Sequence, residues 1–348
     1  VPDSQRELLS GFRGAAALHP ELIRESSYLL AGRTVTLRLV GHRIGAALPR
    51  ALAHLAMPHI EAKPDLLIEA WDEAETGVGT PVTRARDDHS APGTTTASAD
   101  GRYVVFEQAT TKSVLDRPGQ HIVSWIASAE RLTQYELGRP WHSELLLWQR
   151  DLGLMPVHAG FIERGGHGVL LGGPGGSGKS TTALVCMGAG WSYLADDYVG
   201  IQSRPEGGFT GHGIYCSAHL EPENLERFPE FVAGAIPGKL SREDKSLVLL
   251  SGVAGSALGG TAEIRMLALP RVMDQPKTTF RPAGRAEALL RLAPSSLLLL
   301  PFAGLGQSGF QTLGALVQQV PAYWLELGRD RAQLPGAVAD LLAHARAA

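Results

Sequence analysis

Gly173-Pro174-Gly175-Gly176-Ser177-Gly178-Lys179-Ser180 fits the pattern G-x-x-x-x-G-K-[ST] without a mismatch. Gly173, Gly175, Gly176 and Gly178 can take backbone angles closed to other residues, which lets successive N–H groups turn inward around a phosphate. Ser177 completes the turn, and Thr181 follows the Lys-Ser pair. The helix expected after Lys179 points its positive end at the same anion. Lys179 would reach the terminal phosphates of a nucleotide as a point charge, and the Ser180 hydroxyl would meet magnesium. The bland alternative is a glycine-rich turn with an accidental Gly-Lys-Ser. The flanks speak against it: Gly168–Gly172 is a short apolar run, and Thr181–Gly188 reads as a helix start.

Two further groups sit at suggestive spacings. Asp196 and Asp197 follow one helix later, 18 positions from Lys179 to Asp197, at the end of the strand-like run Trp191–Ile201. Beside a transferred phosphate, one carboxylate can contact magnesium and the other can accept a proton from an attacking hydroxyl. Neighbours on a strand face opposite ways, so a bend must bring both to bear, or only one reacts. Solvated acids at a strand end are the alternative. His158 lies 21 positions before Lys179 on the preceding apolar run, Leu154–Ile162. It either contacts the metal or the transferred phosphate, or is a packed residue near a strand end.

The elements that must position these groups are readable in outline. Residues 4–30 contain one helix with Leu8, Leu9 and Phe12 on one side. Strands are expected at 33–40, 65–71, 103–106 and 121–126, and a helix at 48–57. Residues 74–101 are rich in Thr, Gly, Ser, Ala and Asp, with Arg84, Arg86, Asp87, Asp88 and His89 in the middle; they read as a mobile loop or a long hairpin tip. A break near Gly138 divides a strand-rich N-terminal domain (1–138, an accessory or substrate-binding part) from a catalytic domain (139–348). A helix opens the latter at Glu144–Leu152. Residues 217–246 are polar and broken by Pro222, Pro229 and Pro237. Their charged end, Lys239, Arg242, Glu243, Asp244 and Lys245, is a solvated loop or a mobile source of positive charge for the transferred phosphate. Arg265 and Lys277 are weaker candidates for that role. Beyond lie a strand at 262–269, helices at 285–292 and 310–320, a strand at 323–327 and a helix at 335–345.

Composition bounds the class. Hydrophobic residues at 44% and charged residues at 19% describe a folded chain of 348 residues, long enough for two domains. A formal charge of −3 argues against a nucleic-acid binder working through a basic surface. Cys186 and Cys216 form no C-x-x-C pair, which leaves a zinc ribbon or a thioredoxin-type site unsupported. No apolar run is long enough to span a bilayer. With no signal-peptide pattern visible, a cytoplasmic, membrane-free setting with ATP and Mg2+ is expected.

Val157-His158-Ala159, Leu170–Thr182 and Tyr193–Val199 together resemble the HPr kinase/phosphorylase family of bacterial P-loop kinases. The layout is also similar to phosphoenolpyruvate carboxykinase. The resemblance spans roughly 141–345 and is specific around 157–200. It implies an α/β fold: an HPr-kinase-like P-loop domain with a phosphoenolpyruvate-carboxykinase-like nucleotide-binding architecture, beside a strand-rich mixed N-terminal domain. It implies phosphoryl transfer from ATP to a serine hydroxyl of a peptide or small protein. Lys179 and Ser180 would hold phosphate and magnesium. Asp196 and Asp197 would supply the base and a magnesium contact, the latter written to Asp197, and His158 would lie beside the transferred group. Self-association is also consistent with the resemblance. Thr181 departs from the acidic residue that the family carries there, which counts against the reverse, phosphorylase reaction. In this and in its N-terminal third the chain looks more like divergent members, among them kinases that tailor lasso-peptide precursors.

Two other readings stay open. A kinase of a small molecule, such as an amino acid or sugar, would have a closed acceptor pocket where a peptide kinase has an open groove. A nucleotide-dependent switch or scaffold with little turnover would have no use for the acid pair.

Overall fold

The computed structural model of the protein describes residues 2–59, 61–80, 93–232, 234–237, 245–253, 257–297 and 306–347. The charged residues 84–89 and the stretch 239–244 lie outside the described residues, so the roles expected of them find no structural counterpart here. The fold is mixed α/β, and the chain divides into two compact units. One holds 1–151 and 235–247, the other 152–234 and 248–348.

The first unit contains α1 (Pro2–Leu18), β1 (Ile23–Leu30), β2 (Arg33–Val40), α2 (His42–Ala47), β3 (Ala56–Met57), β4 (Leu66–Asp72), α3 (Glu73–Thr76), β5 (Thr94–Ala97), β6 (Tyr103–Glu107), β7 (Thr111–Asp116), β8 (His121–Ile126), α4 (Gln134–Gly138) and α5 (His142–Asp151). Its sheet runs β3-β1-β2-β4-β8-β7-β6-β5, parallel only at β2–β4 and β4–β8. Leu8, Phe12 and Ala15 of α1 pack on Trp71, Val114, Val123 and Trp125. A Cβ on Gly11 would come within 2.6 Å of the Trp71 ring, so the helix can lie this close only with glycine there.

The one helix expected within residues 4–30 is α1, which stops at Leu18; Pro20 then opens a single 3-10 turn, and Ile23–Leu30 is a strand that the sequence pattern did not show. The cause is Ala31-Gly32, both at positive φ (50° and 74°), the two-residue hairpin turn that makes 23–30 the partner of 33–40. Leu48–Leu55 is a 3-10 helix, still burying the expected face of Leu48, Ala51 and Leu55. The polar stretch 74–101 carries part of α3 and the exposed edge strand β5.

The division between units falls after Asp151, where composition suggested Gly138. α5 belongs to the first unit because Trp148 Nε1 donates to Gln120 Oε1 (2.6 Å) and Arg117 grips Asp151 through Nε and Nη2, each at 2.7 Å.

The second unit contains β9 (Met155–Val157), β10 (Ala159–Arg164), β11 (His167–Gly172), α6 (Lys179–Gly188), β12 (Ser192–Ala195), β13 (Val199–Ser203), β14 (Phe209–Gly213), β15 (Ser217–Leu220), α7 (Pro222–Leu225) and α8 (Pro229–Val232). After β16 (Ser246–Leu249), where the chain re-enters the unit, come β17 (Thr261–Val272), β18 (Thr279–Pro282), α9 (Arg285–Leu297), α10 (Gly306–Gln319), β19 (Ala322–Leu327) and α11 (Leu334–Ala347).

Its main sheet closes on itself. β9 and β10 are one strand interrupted at His158, and β12 and β13 are one strand interrupted at Asp196–Tyr198. Val157↔Val199 and Phe161↔Ala195 share one antiparallel register, and the Ala159 N–H donates to the Asp197 carbonyl at 3.2 Å between them. The other edge of β10 pairs with β11, β11 with β17, β17 with β14, and β14 with β13. Phe161 is fully buried inside this ring, where a Cβ on Gly168 or Gly211 would come within 2.5 and 2.6 Å of its ring atoms. β17 serves two partners along one edge: Thr261–Ile264 pairs with β14, while Leu267–Val272 pairs in parallel with β19, which carries β18 outside it.

Candidate functional site

The glycine-rich loop emerges where the sequence reading placed it, between β11 and α6. Gly165-Gly166, at φ 61° and 83°, close the two-residue hairpin that sets β11 against β10. That register puts Gly172 opposite Ala159, so the loop begins beside the residue that follows His158. Gly173, Gly176 and Gly178 have φ of 153°, 75° and 103°. A Cβ on Gly178 would lie 2.3 Å from Leu327 Cδ1, whereas the Cβ positions of Gly175 and Gly176 are open. Gly178 is the N-cap of α6 and has no side chain to cap it, and no acid occupies the first turn. The positive end of the helix dipole is thereby left to whatever occupies the loop.

Lys179 is buried and curls back over the loop, donating from Nζ to the Gly173 carbonyl (2.8 Å) and the Pro174 carbonyl (3.1 Å). Ser177, Ser180 and Thr181 are half-buried along the same stretch. The next turn turns inward: Thr182 donates to the Gly178 carbonyl at 2.8 Å, and Cys186 is buried. Burial pushes the Cys186 thiol up to about 12, which suits a core residue and not a nucleophile.

One row across three strands joins the loop to the acid pair. Gly172 faces Ala159 on one side, and Asp197 meets Ala159 on the other through the main-chain bond at 3.2 Å. At ordinary strand spacing this separates Gly172 and Asp197 by about 10 Å. The chain bends at Asp196-Asp197, and the two carboxylates part company there. Asp196 is 3% exposed. The Asp197 side chain keeps a quarter of its surface open, and its Oδ1 lies 3.5 Å from His158 Nε2. His158 also stacks on Tyr198, with centroids 5.8 Å apart. The structure thus brings His158, Asp197 and the loop together, with Asp196 the buried member of the acid pair.

The sequence reading missed Ser296. Its hydroxyl, fully buried, accepts the His158 main-chain N–H at 3.1 Å. Ala288, Leu292 and Ser296 make an i, i+4, i+8 buried stripe on α9, and a Cβ on Gly172 would lie 2.6 Å from Leu292 Cδ2. α9 therefore lies across the row that carries the site. That spacing was visible in the sequence; the partner, 138 positions away, was not.

Other candidates fall elsewhere. Arg265 pairs with Glu263, which also holds Arg204, at the end of β17 that faces the start of β11. Lys277 is exposed beyond the opposite end of β17. Among the described residues no group of three or more His, Cys, Asp or Glu side chains could hold a metal ion, and no helix is long and apolar enough to cross a membrane.

A family model described as ScmC, SynChlorMet cassette protein, matches residues 143–230, a quarter of the chain that includes the loop and the acid pair. No curated protein matches. Among solved structures the chain is similar to the Hpr(Ser) kinase/phosphatase from Coxiella burnetii, with 15% identity over 55% of this chain and 90% of that one, at a TM-score of 0.30. A likeness that loose assigns neither fold nor reaction, so the functional reading rests on the site itself.

Proposed function

We propose that the second unit is the catalytic part of an ATP-dependent kinase that phosphorylates a hydroxyl, most simply a serine hydroxyl of a peptide or small protein. The observation that carries this is the row Gly172–Ala159–Asp197, with His158 against Asp197: a phosphate loop and a carboxylate–imidazole pair within reach of one transferred group.

In this reading the loop N–H groups and the end of α6 hold the nucleotide phosphates, and Lys179 exchanges its contacts to the Gly173 and Pro174 carbonyls for phosphate oxygens. Asp197, the more open carboxylate, takes the proton as the acceptor oxygen bonds to the γ-phosphorus and the bond to the β,γ-bridging oxygen breaks. His158 steadies the Asp197 carboxylate. Hydroxyl and carboxylate oxygens suit magnesium. Ser180 and one carboxylate of the pair would hold it, and it would supply charge neutralisation at the phosphates. The first unit is proposed as the accessory part, with a role in binding the acceptor.

The test is intact mass of candidate acceptors after incubation with magnesium and ATP. The panel holds serine-containing peptides, HPr-type carriers and free serine. One added phosphate that disappears with Lys179→Ala supports the kinase. Asp197→Asn should keep ATP binding and lose transfer, while near wild-type transfer by that variant would overturn the base assignment. Phosphate on free serine alone would favour the small-molecule reading.

A further inference from the structure

Where β17, β18 and β19 lie side by side under α9, three guanidinium groups surround one indole. Arg271, Arg281 and Arg291 place their Cζ atoms 4.9, 5.5 and 4.9 Å from the Trp324 ring centroid. They come from β17, β18 and α9, brought together by the registers Leu269↔Trp324 and Arg281↔Trp324 and by α9 crossing above. Two carboxylates hold the arrangement. Glu326 accepts from Arg271 Nη2 (2.6 Å), Arg281 Nε (3.3 Å) and the Thr279 hydroxyl (3.0 Å). Glu287 accepts the Trp324 Nε1–H at 3.1 Å, and its carboxyl is held below the usual range mainly by the Gly284 main-chain N–H, with that indole bond next. Three positive charges therefore face two negative ones, and Arg291 has no carboxylate partner among the described residues.

The cluster adjoins the phosphate loop. The Pro270 carbonyl lies 3.8 Å from the Cβ position of Gly173, and Val272 Cγ2 lies 3.9 Å from that of Gly178. Arg271 stands between them on the loop's flank, but alternation turns it away from Val272 and Gly178 and toward α9. A nucleotide in the loop is thus not what these arginines address. Among the described residues β18 pairs on one side only, which leaves a short open edge next to Arg281.

We propose that the Arg271–Arg281–Arg291 cluster on Trp324 is a docking site for an acidic segment of the acceptor, an extended peptide with carboxylate side chains lying along the β18 edge. This rests on the kinase reading and narrows its substrate to acidic peptides.

The test is fluorescence anisotropy of labelled Ser-Glu, Ser-Gln and Ser-Lys repeat peptides on the full chain, without nucleotide. The acidic peptide should bind, more weakly at high salt, and the other two should not. Arg281→Gln combined with Arg291→Gln should weaken it by about tenfold, two exposed charge contacts' worth. ATP affinity, measured separately, should not change. Should the double variant fail to fold, Arg291→Gln alone, which removes no ion pair, should still weaken binding measurably. Equal binding of acidic and neutral peptides, or acidic-peptide binding that survives the substitutions, overturns the proposal. Loss of ATP binding by the wild type would instead strike the kinase reading, in a different measurement.

Discussion

Alanine substitutions along the phosphate loop should not be equivalent, and the structure orders them. Gly175 has unrestricted surroundings and no positive φ, so Gly175→Ala should be within about 1 kcal/mol of wild type, with the smaller freedom of the unfolded chain in its favour. Gly176 sits at φ 75° in open space, so its replacement carries only the backbone term, about 1–2 kcal/mol. Gly178 has both difficulties. Its φ of 103° costs about 1–3 kcal/mol with a side chain, and the new methyl would lie 2.3 Å from Leu327 Cδ1. Leu327 is 7% exposed, and moving it is an overpacking cost of about 1–3 kcal/mol. The expected order in urea unfolding is Gly175→Ala, then Gly176→Ala, then Gly178→Ala at about 2–6 kcal/mol. The two parts of the last loss separate in a double-mutant cycle. Leu327→Ala removes the overlap, so the double variant should be less destabilised than the sum of the singles by about 1–3 kcal/mol, while the backbone part persists. Under the proposed function ATP affinity should fall in the same order, because the strained loop is the one proposed to hold the phosphates. A Gly178→Ala protein as stable as Gly176→Ala, with no coupling to Leu327, would refute the close approach of β19 to the loop.

Ser296→Ala should leave the buried His158 N–H without its acceptor, costing about 1–3 kcal/mol in unfolding, and should lower the turnover of phosphoryl transfer more than ATP affinity. Ser296→Thr, which keeps the hydroxyl, should restore most of both. The second unit should also lose stability in mild acid through His212. This residue is 7% exposed and bonded through Nδ1 to the Thr261 hydroxyl, and burial lowers its pKa to about 4. The unfolded chain takes up a proton below about 6.5 while the native one stays neutral to about 4, so stability is complete above that window and falls as pH drops through it. At pH 5 the loss is about 2 kcal/mol, and His212→Gln should flatten that part of a pH series of urea midpoints. His54 in the first unit, lowered by burial to about 4, adds a slope of the same sign that His212→Gln leaves intact.

What could be read from the sequence follows the range of the interaction involved. The glycine-rich loop is eight consecutive residues whose pattern is local, and the strand and helix around it are local as well. The acid pair was visible, but not its division into buried Asp196 and open Asp197. That depends on a bend and on which strand lies opposite, and alternation alone forced only the choice between one carboxylate and two. The helix that begins at Pro2 was legible because it carries a periodic apolar face of its own, whereas the strand at 23–30 depends on the Ala31-Gly32 turn, and an alanine at positive φ gives little warning.

The arginine cluster shows the same rule from the other side. Arg271, Arg281 and Arg291 lie in three separate segments, and nothing in the residues beside each of them announces the other two. They converge because β17 pairs in parallel with β19 at one register, β18 pairs back on β19 at another, and α9 returns over the sheet with Leu292 against Gly172. The glycine that lets α9 approach thus serves two sites at once. The same helix that puts Ser296 under His158 puts Arg291 over Trp324, five residues earlier. A bulkier residue at 172 would have to displace Leu292, and with it both ends of α9. Gly172→Ala should therefore weaken phosphoryl transfer and acidic-peptide binding together, whereas Asp197→Asn should abolish transfer and leave acidic-peptide binding intact.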